Sequence, residues 1–211
     1  MSGPRRLDLD AWERREHFAF FRDYDQPFFN LCAEVDVSSA LARCRGGGGP
    51  SFSVTVLFHS TAAANGVEAF RYRIRGDGVV VHDVIHAGTT VLRPDGTFGF
   101  AYVDYEGSLE AFAEAAEEAF VSARRSDRAL DPRDERDDLI HHTVIPWIAF
   151  TSMAHARRHD PEDSVPKISF GRYHGDEGAE RMPVSVEVHH ALMDALHVGR
   201  FLDSFQERLD G

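Results

Sequence analysis

The 211-residue chain is short of cysteine, of basic charge and of long apolar runs. Its only cysteines are Cys32 and Cys44. Two isolated thiols make neither a disulfide framework nor a zinc-knuckle spacing, so a reduced, cytoplasmic setting is the default. No stretch of about 18 apolar residues occurs, which excludes a membrane-spanning helix. The Arg5-Arg6 pair is followed by no apolar segment, so the N-terminus does not read as a signal peptide. Lys and Arg number 23 against 35 Asp and Glu, a formal charge of −12. That balance argues against nucleic acid or an anionic membrane as partner, although a local basic spot could still bind a phosphate. The glycine run 46–49 lacks the GK[ST] of a phosphate loop, and no HExxH is present. No metal is expected.

What is present fits one globular domain over 1–211. Hydrophobic residues make up 43% and charged residues 27%, near the globular average. Twelve His and sixteen Phe stand out. Helical spacing predicts helices over 11–22, 51–65, 109–123 and 194–209, with a brief one after Ser38. The long apolar run 51–65 has a cap candidate in Ser51. β-type runs fall at 28–37, 70–75, 79–83, 85–92, 98–103, 143–150, 167–173 and 183–190. Residues 125–138 are charge-rich without an apolar face and read as an exposed loop. Many strands with a few helices, lacking regular alternation, predict an α/β two-layer sandwich with a mixed β-sheet.

The densest chemical signal is Val188-His189-His190-Ala191-Leu192-Met193-Asp194. A strand ends in two histidines and a helix begins at an aspartate that can cap it. A neutral imidazole is the natural general base near pH 7. Adjacent strand residues face opposite ways, so one His can be structural while the other is reactive. The spacing of His190, Asp194 and His197 also admits a metal site, but His190 lies before the predicted helix, which makes a metal site the weaker alternative.

The segment EVHHALMDALHVGR, Glu187 to Arg200, resembles the C-terminal signature of the chloramphenicol acetyltransferases, QVHHAxxDGFHVxR. The N-terminal WERREHF, Trp12 to Phe18, resembles that family's WxRREHF, and Pro146-Trp147-Ile148 with Phe150 its PWVxF. Phe70 to Ile74 and Gly76 to Val81 lie where the family has an FRM strand and a DGELVIW segment. These motifs occur in order from residue 7 to residue 209. The resemblance implies a CoA-dependent acyltransferase fold and a homotrimer with interfacial active sites. It also implies acetyl transfer from acetyl-CoA to a hydroxyl of a small molecule, with chloramphenicol as one acceptor. In that frame His190 is the base, Asp194 and Arg14 hold its loop, and Thr143 stands where a serine stabilises the oxyanion. Ser169 occupies the place of a threonine that acts through water. Arg172 and Tyr173 stand where a Lys-Tyr pair approaches the CoA adenosine, and Ser51 where a lysine meets its 3′-phosphate. Phe20, Phe21 and Phe29 would line the acceptor pocket with His141.

The departures lie on the acceptor side. A family tyrosine becomes Phe21, an asparagine becomes His141, the DGF becomes Asp194-Ala195-Leu196, and the glutamine before the histidine pair becomes Glu187. A glycine at position 195 could serve a backbone angle that alanine resists. These changes predict a divergent acceptor preference with chloramphenicol a poor substrate. The other readings are a same-fold acyltransferase with another acceptor or donor, as in natural-product tailoring, and a catalytically silent ligand-binding homologue. The HHxxxD pattern also echoes nonribosomal peptide condensation domains, of which 211 residues would be half a unit.

Overall fold

The computed structural model describes residues 3–128, 130–133, 135–157 and 160–211. Among the described residues the strands run β1 (Arg5–Arg6), β2 (Phe28–Asp36), β3 (Tyr72–Arg75), β4 (Gly78–Val81), β5 (His86–Leu92), β6 (Phe98–Val103), β7 (Leu139–Ile145), β8 (Lys167–Gly171) and β9 (Arg181–His189). The α-helices among them are α1 (Arg15–Phe21), α2 (Ser38–Arg45), α3 (Phe52–Gly66), α4 (Leu109–Arg125) and α5 (Ala195–Asp210). The main sheet has six strands in the order β2-β9-β8-β7-β5-β6. β5, β7 and β8 are mutually parallel and the remaining pairings antiparallel, so the sheet is mixed as expected. A second sheet, β1-β4-β3, flanks it.

Paired residues on neighbouring strands share a face, and successive residues alternate. Ile140, Ile168, Phe170, Val184, Val186 and Val188 therefore form one apolar face. They share a buried core with Phe201 and Phe205 of α5 and with Val56 and Ala63 of α3. The apolar α3 is almost wholly buried, and the Ser51 side chain caps it by accepting from Val54 N–H at 3.4 Å. α4 instead has one apolar stripe, and its Phe112 and Ala116 pack with Val103 and Ala87 of the β6/β5 edge. The opposite face of the main sheet carries His141, Thr143, Lys167, Ser169, Ser185 and Glu187.

Three predicted boundaries move. The strand expected at 143–150 occupies Leu139–Ile145, because Pro146 has no N–H to continue the ladder. The run at 70–75 opens with a 3-10 turn over Glu68–Arg71, and the first helix begins only at Arg15. Ala129 and Asp134 of the charged 125–138 loop lie outside the described residues. The loop's end is no idle solvated tail: Arg136 bonds Asp138 at 2.9 Å and Asp104 at 3.0 Å.

Arg73 ties this segment to the small sheet. Its guanidinium is fully buried and donates to the carbonyls of Phe70 (2.9 Å), Tyr72 (2.6 Å), Asp137 (2.5 Å) and Leu139 (2.6 Å). Removing the donors would strand several buried acceptors, at about 1–3 kcal/mol each. Arg73→Met is therefore expected to lower unfolding stability by about 3 kcal/mol or more. The check is the urea midpoint: a variant as stable as the wild type would show that these bonds contribute nothing net.

Candidate active site

The first half of the site grows from the end of β9. β2 and β9 pair over their whole length, and Phe28 stands opposite His189. His190 extends the ladder by donating its backbone N–H to the Pro27 carbonyl at 2.7 Å. The chain then turns through Ala191, Leu192 and Met193, all fully buried, which fixes the turn between strand and helix. Asp194 caps α5: its Oδ1 accepts from Leu196 N–H at 3.0 Å, and His197 Nδ1 accepts from Asp194 N–H at 3.2 Å. Asp194 Oδ2 accepts from Arg14 at 2.6 Å, and Arg14 also donates to the His190 carbonyl at 3.3 Å. Burial alone would raise the Asp194 pKa. The hydrogen bond and charge of Arg14 outweigh it, and the carboxyl lies below its ordinary value. Ala195 begins the helix, and no non-glycine residue among those described has a positive φ. The feared backbone conflict at this position does not arise.

The imidazole of His190 is held on two sides. Nδ1 lies 3.1 Å from the Met193 carbonyl, which can only accept, so the proton belongs on Nδ1 and Nε2 keeps its lone pair. Phe21 stacks on the ring at a centroid distance of 4.0 Å and 20°, and Phe29 leans against it at 4.8 Å. Phe20 meets Phe21 edge-on at 4.9 Å and is largely exposed. Phe21 thus braces the imidazole, a role its expected place on the acceptor wall did not convey. His189 behaves as the structural member of the pair. It is buried, packs edge-on against Phe28 at 5.0 Å, and its Nδ1 accepts from Ala191 N–H at 3.2 Å. Burial draws its pKa down to about 4.

The second half lies elsewhere on the sheet. Thr143 pairs with Ser169, and Ser169 with Ser185. His190 is five residues beyond Ser185 and two strands from Thr143. At about 3.3 Å per residue and about 4.8 Å per strand, roughly 19 Å separates the two within one chain. The predicted catalytic and acceptor-side residues therefore form two clusters: Arg14, Phe20, Phe21, Phe29, His190 and Asp194 in one, and His141, Thr143 and Ser169 in the other. His141 is open to solvent at its edge, yet desolvation by the surrounding protein, with the Lys167 charge next, pulls its pKa to about 4. Ser169 departs from expectation. It is fully buried and its hydroxyl is engaged by His155 Nε2 at 3.0 Å, which leaves it no open face in this chain.

That contact belongs to a network absent from the sequence reading. Glu187 Oε1 accepts from Arg157 at 2.6 Å, and Oε2 lies 3.4 Å from His155 Nδ1. Arg157 also bonds Asp163 at 2.9 Å and sits 3.5 Å over the Phe28 ring. Only the change of glutamine to glutamate at 187 hinted that a cation stood nearby.

Arg172 and Tyr173 follow β8 directly. They line a cleft with Phe52 and Ser53, beside the capped N-terminus of α3. Gly171 makes the approach possible: a Cβ there would lie 2.6 Å from Pro183 Cγ and 2.9 Å from the Ile148 carbonyl. The Ile148 carbonyl instead accepts from Arg172 N–H at 2.9 Å.

A sequence model of chloramphenicol acetyltransferase matches residues 4–206. The chain belongs to the chloramphenicol acetyltransferase family. The chloramphenicol acetyltransferase of Proteus mirabilis is 25% identical over 205 residues, covering 97% of this chain and 94% of that protein. The enzyme of the same name from Streptomyces acrimycini is 27% identical over 208 residues, covering 98% and 94%. A solved chloramphenicol acetyltransferase structure superposes with a TM-score of 0.88 at 27% identity, over 98% of this chain and 100% of that one. As a chloramphenicol acetyltransferase family member, the protein is an acyltransferase with the predicted mixed-sheet fold.

The Glu187 network of this family member sets an acid limit to its stability. Burial would raise the Glu187 pKa, but His155 and Arg157 more than offset it and bring it from 4.5 to about 2. A depressed carboxylate stabilises the fold fully above its unfolded pKa, and the contribution drains as pH falls toward the folded value. Stability lost between pH 4.5 and about 2 should thus include a Glu187 share. In Glu187→Gln, unfolding free energy measured across that window should fall less steeply; an unchanged slope would contradict the coupling.

Proposed function

We propose that the protein transfers an acetyl group from acetyl-CoA to a hydroxyl of a small molecule, as a single catalytic domain with His190 as general base. The observation that carries this is the state of His190: its Nδ1 proton is committed to the Met193 carbonyl, Phe21 and Phe29 brace the ring, and Nε2 is left with a lone pair. Nε2 takes the acceptor's hydroxyl proton as its oxygen attacks the thioester carbonyl. The tetrahedral oxyanion receives the Thr143 hydroxyl. When the C–S bond breaks, the CoA sulfur leaves and takes up the proton from His190. Arg14 and Asp194 position the loop and touch no reacting atom. Arg172, Tyr173 and the α3 N-terminus with Ser51 suit the adenosine and phosphate end of CoA.

Because Thr143 and His190 of one chain stand roughly 19 Å apart, the reading requires two chains per site. We infer a homotrimer in which His190 of one subunit faces Thr143 of the next. Chloramphenicol, named for the relatives, is one candidate acceptor; the phenylalanine at position 21 and His141 point to a changed preference. A cytoplasmic setting accords with the two free thiols and with the lack, among the described residues, of any helix long and apolar enough to cross a membrane.

His190→Ala is expected to cut CoA-thiol release at least about 10²–10⁴-fold while leaving the unfolding temperature near that of the wild type. Retention of more than a few per cent of kcat would show another base at work. The shared site has its own test by co-expression. His190→Ala and Thr143→Val chains, each impaired alone, should regain activity in mixed assemblies, with about a quarter of interfaces intact at equal expression. Mixed assemblies no more active than the parents, or a monomer in light scattering at micromolar concentration, would rule the shared site out.

A further inference from the structure

Lys167 is the only lysine in the chain, and the register places it in a definite company. Tyr102 pairs with Gly88 across β5 and β6, Gly88 with His141 across β5 and β7, and His141 with Lys167 across β7 and β8. With Glu187, which pairs with Lys167 across β8 and β9, they form one row on the sheet face that carries Thr143. The row lies two residues from the Thr143 row, about 6.6 Å along the strands. A Cβ at Gly88 would sit 3.4 Å from His141 Cδ2 and 3.5 Å from Tyr102 Cδ1. Glycine thus leaves a slot between two rings that any side chain would fill.

The polar end of the row has unspent capacity. Lys167 Nζ donates to the Ala156 carbonyl at 2.8 Å. Among the described residues no carboxylate lies within 4 Å of it, because Glu187 and Asp163 are both drawn to Arg157. An ammonium has three donors, so two remain. The His141 ring has no hydrogen-bond partner among the described residues, and in its neutral form it offers one donor and one acceptor. Asp163 and Glu187 act on Lys167 only at a distance, each held in direct contact by Arg157; a half-buried cation with no direct ion pair is stabilised by an anion that reaches its free donors.

We propose that this row is the acceptor subsite and that it selects a small hydroxyl compound bearing a carboxylate. The anion sits on Lys167, the apolar body rests over Gly88 against the rings of His141 and Tyr102, and the hydroxyl to be acetylated is directed toward Thr143. The proposal rests on the reading of Thr143 as part of the acyl-transfer site. It gives that site a substrate class, and it accounts for a cation two residues from the Thr143 hydroxyl on that face.

The test titrates the intact protein, in saturating CoA, with 4-(hydroxymethyl)benzoate and with its neutral analogue 4-(hydroxymethyl)benzamide. By calorimetry the carboxylate should bind at least about tenfold more tightly, the difference between a charge-assisted and a neutral hydrogen bond. Lys167→Met should abolish that preference. Lys167→Arg, which keeps the charge, should retain it and so separates lost charge from lost fold. Uniqueness of the lysine gives a second readout: trinitrobenzenesulfonate labelling at Lys167, followed by peptide mass, should be slowed by the carboxylate and not by the amide. Equal affinity for the two probes, or a preference that survives Lys167→Met, overturns the subsite. If CoA binds and the preference is missing, the subsite alone falls; if CoA itself does not bind, the acyltransferase reading of these residues falls with it.

Discussion

The period-two alternation along β9 is the constraint on which the rest of the structure depends. Val184, Val186 and Val188 face the helices and are fully buried there, while Ser185, Glu187 and His189 face the other way. A slip of one residue would send the valines to the polar side and a carboxylate into the helical layer. The alternation also dictates the end of the strand. His189 completes the buried polar face, and His190, one residue later, is released into the turn before α5 with its ring free to be braced by aromatics from α1 and β2.

What was legible in the sequence was what neighbours along the chain decide. The strand, histidine pair, capping aspartate and amphipathic helix of 183–210 are consecutive, so their local chemistry already implied the turn that carries His190. The helices with long apolar patterns were equally readable. The Arg157–Glu187–His155 network was not. It joins residues thirty or more positions apart through a segment without regular structure, and only strand register brings Ser169 beneath His155. The displaced strand at 139–145 has the same origin. Ile140 and Val144 are apolar toward the helices, but His142, on that same face, bonds Ser60 of α3 at 3.2 Å and hides the pattern. The Phe21 ring shows a third kind of gap: composition and motif named the residue, and packing alone revealed which ring it supports.

The separation of the two clusters gives meaning to the division of labour within the subunit. The strand-to-helix turn presents a rigidly held His190 flanked by phenylalanines. The β7–β8 face presents the Thr143 hydroxyl, the His141 imidazole and the Lys167 ammonium. Each half is positioned by regular structure rather than by long loops, so the proposed assembly would have only to bring two preformed surfaces together. Under that proposal catalysis would depend on the geometry between copies as much as on the fold of one.

The Arg14–Asp194 ion pair links positions 180 residues apart. During synthesis the arginine leaves the ribosome 180 residues before its partner does. Until both are out, the N-terminal helix lacks its electrostatic mooring and the strand-to-helix turn lacks the guanidinium that fixes it. A chain cut before β9 would hold five of the six strands of the main sheet and neither acceptor of Arg14. Folding at this corner therefore waits on one long-range contact rather than on any local segment.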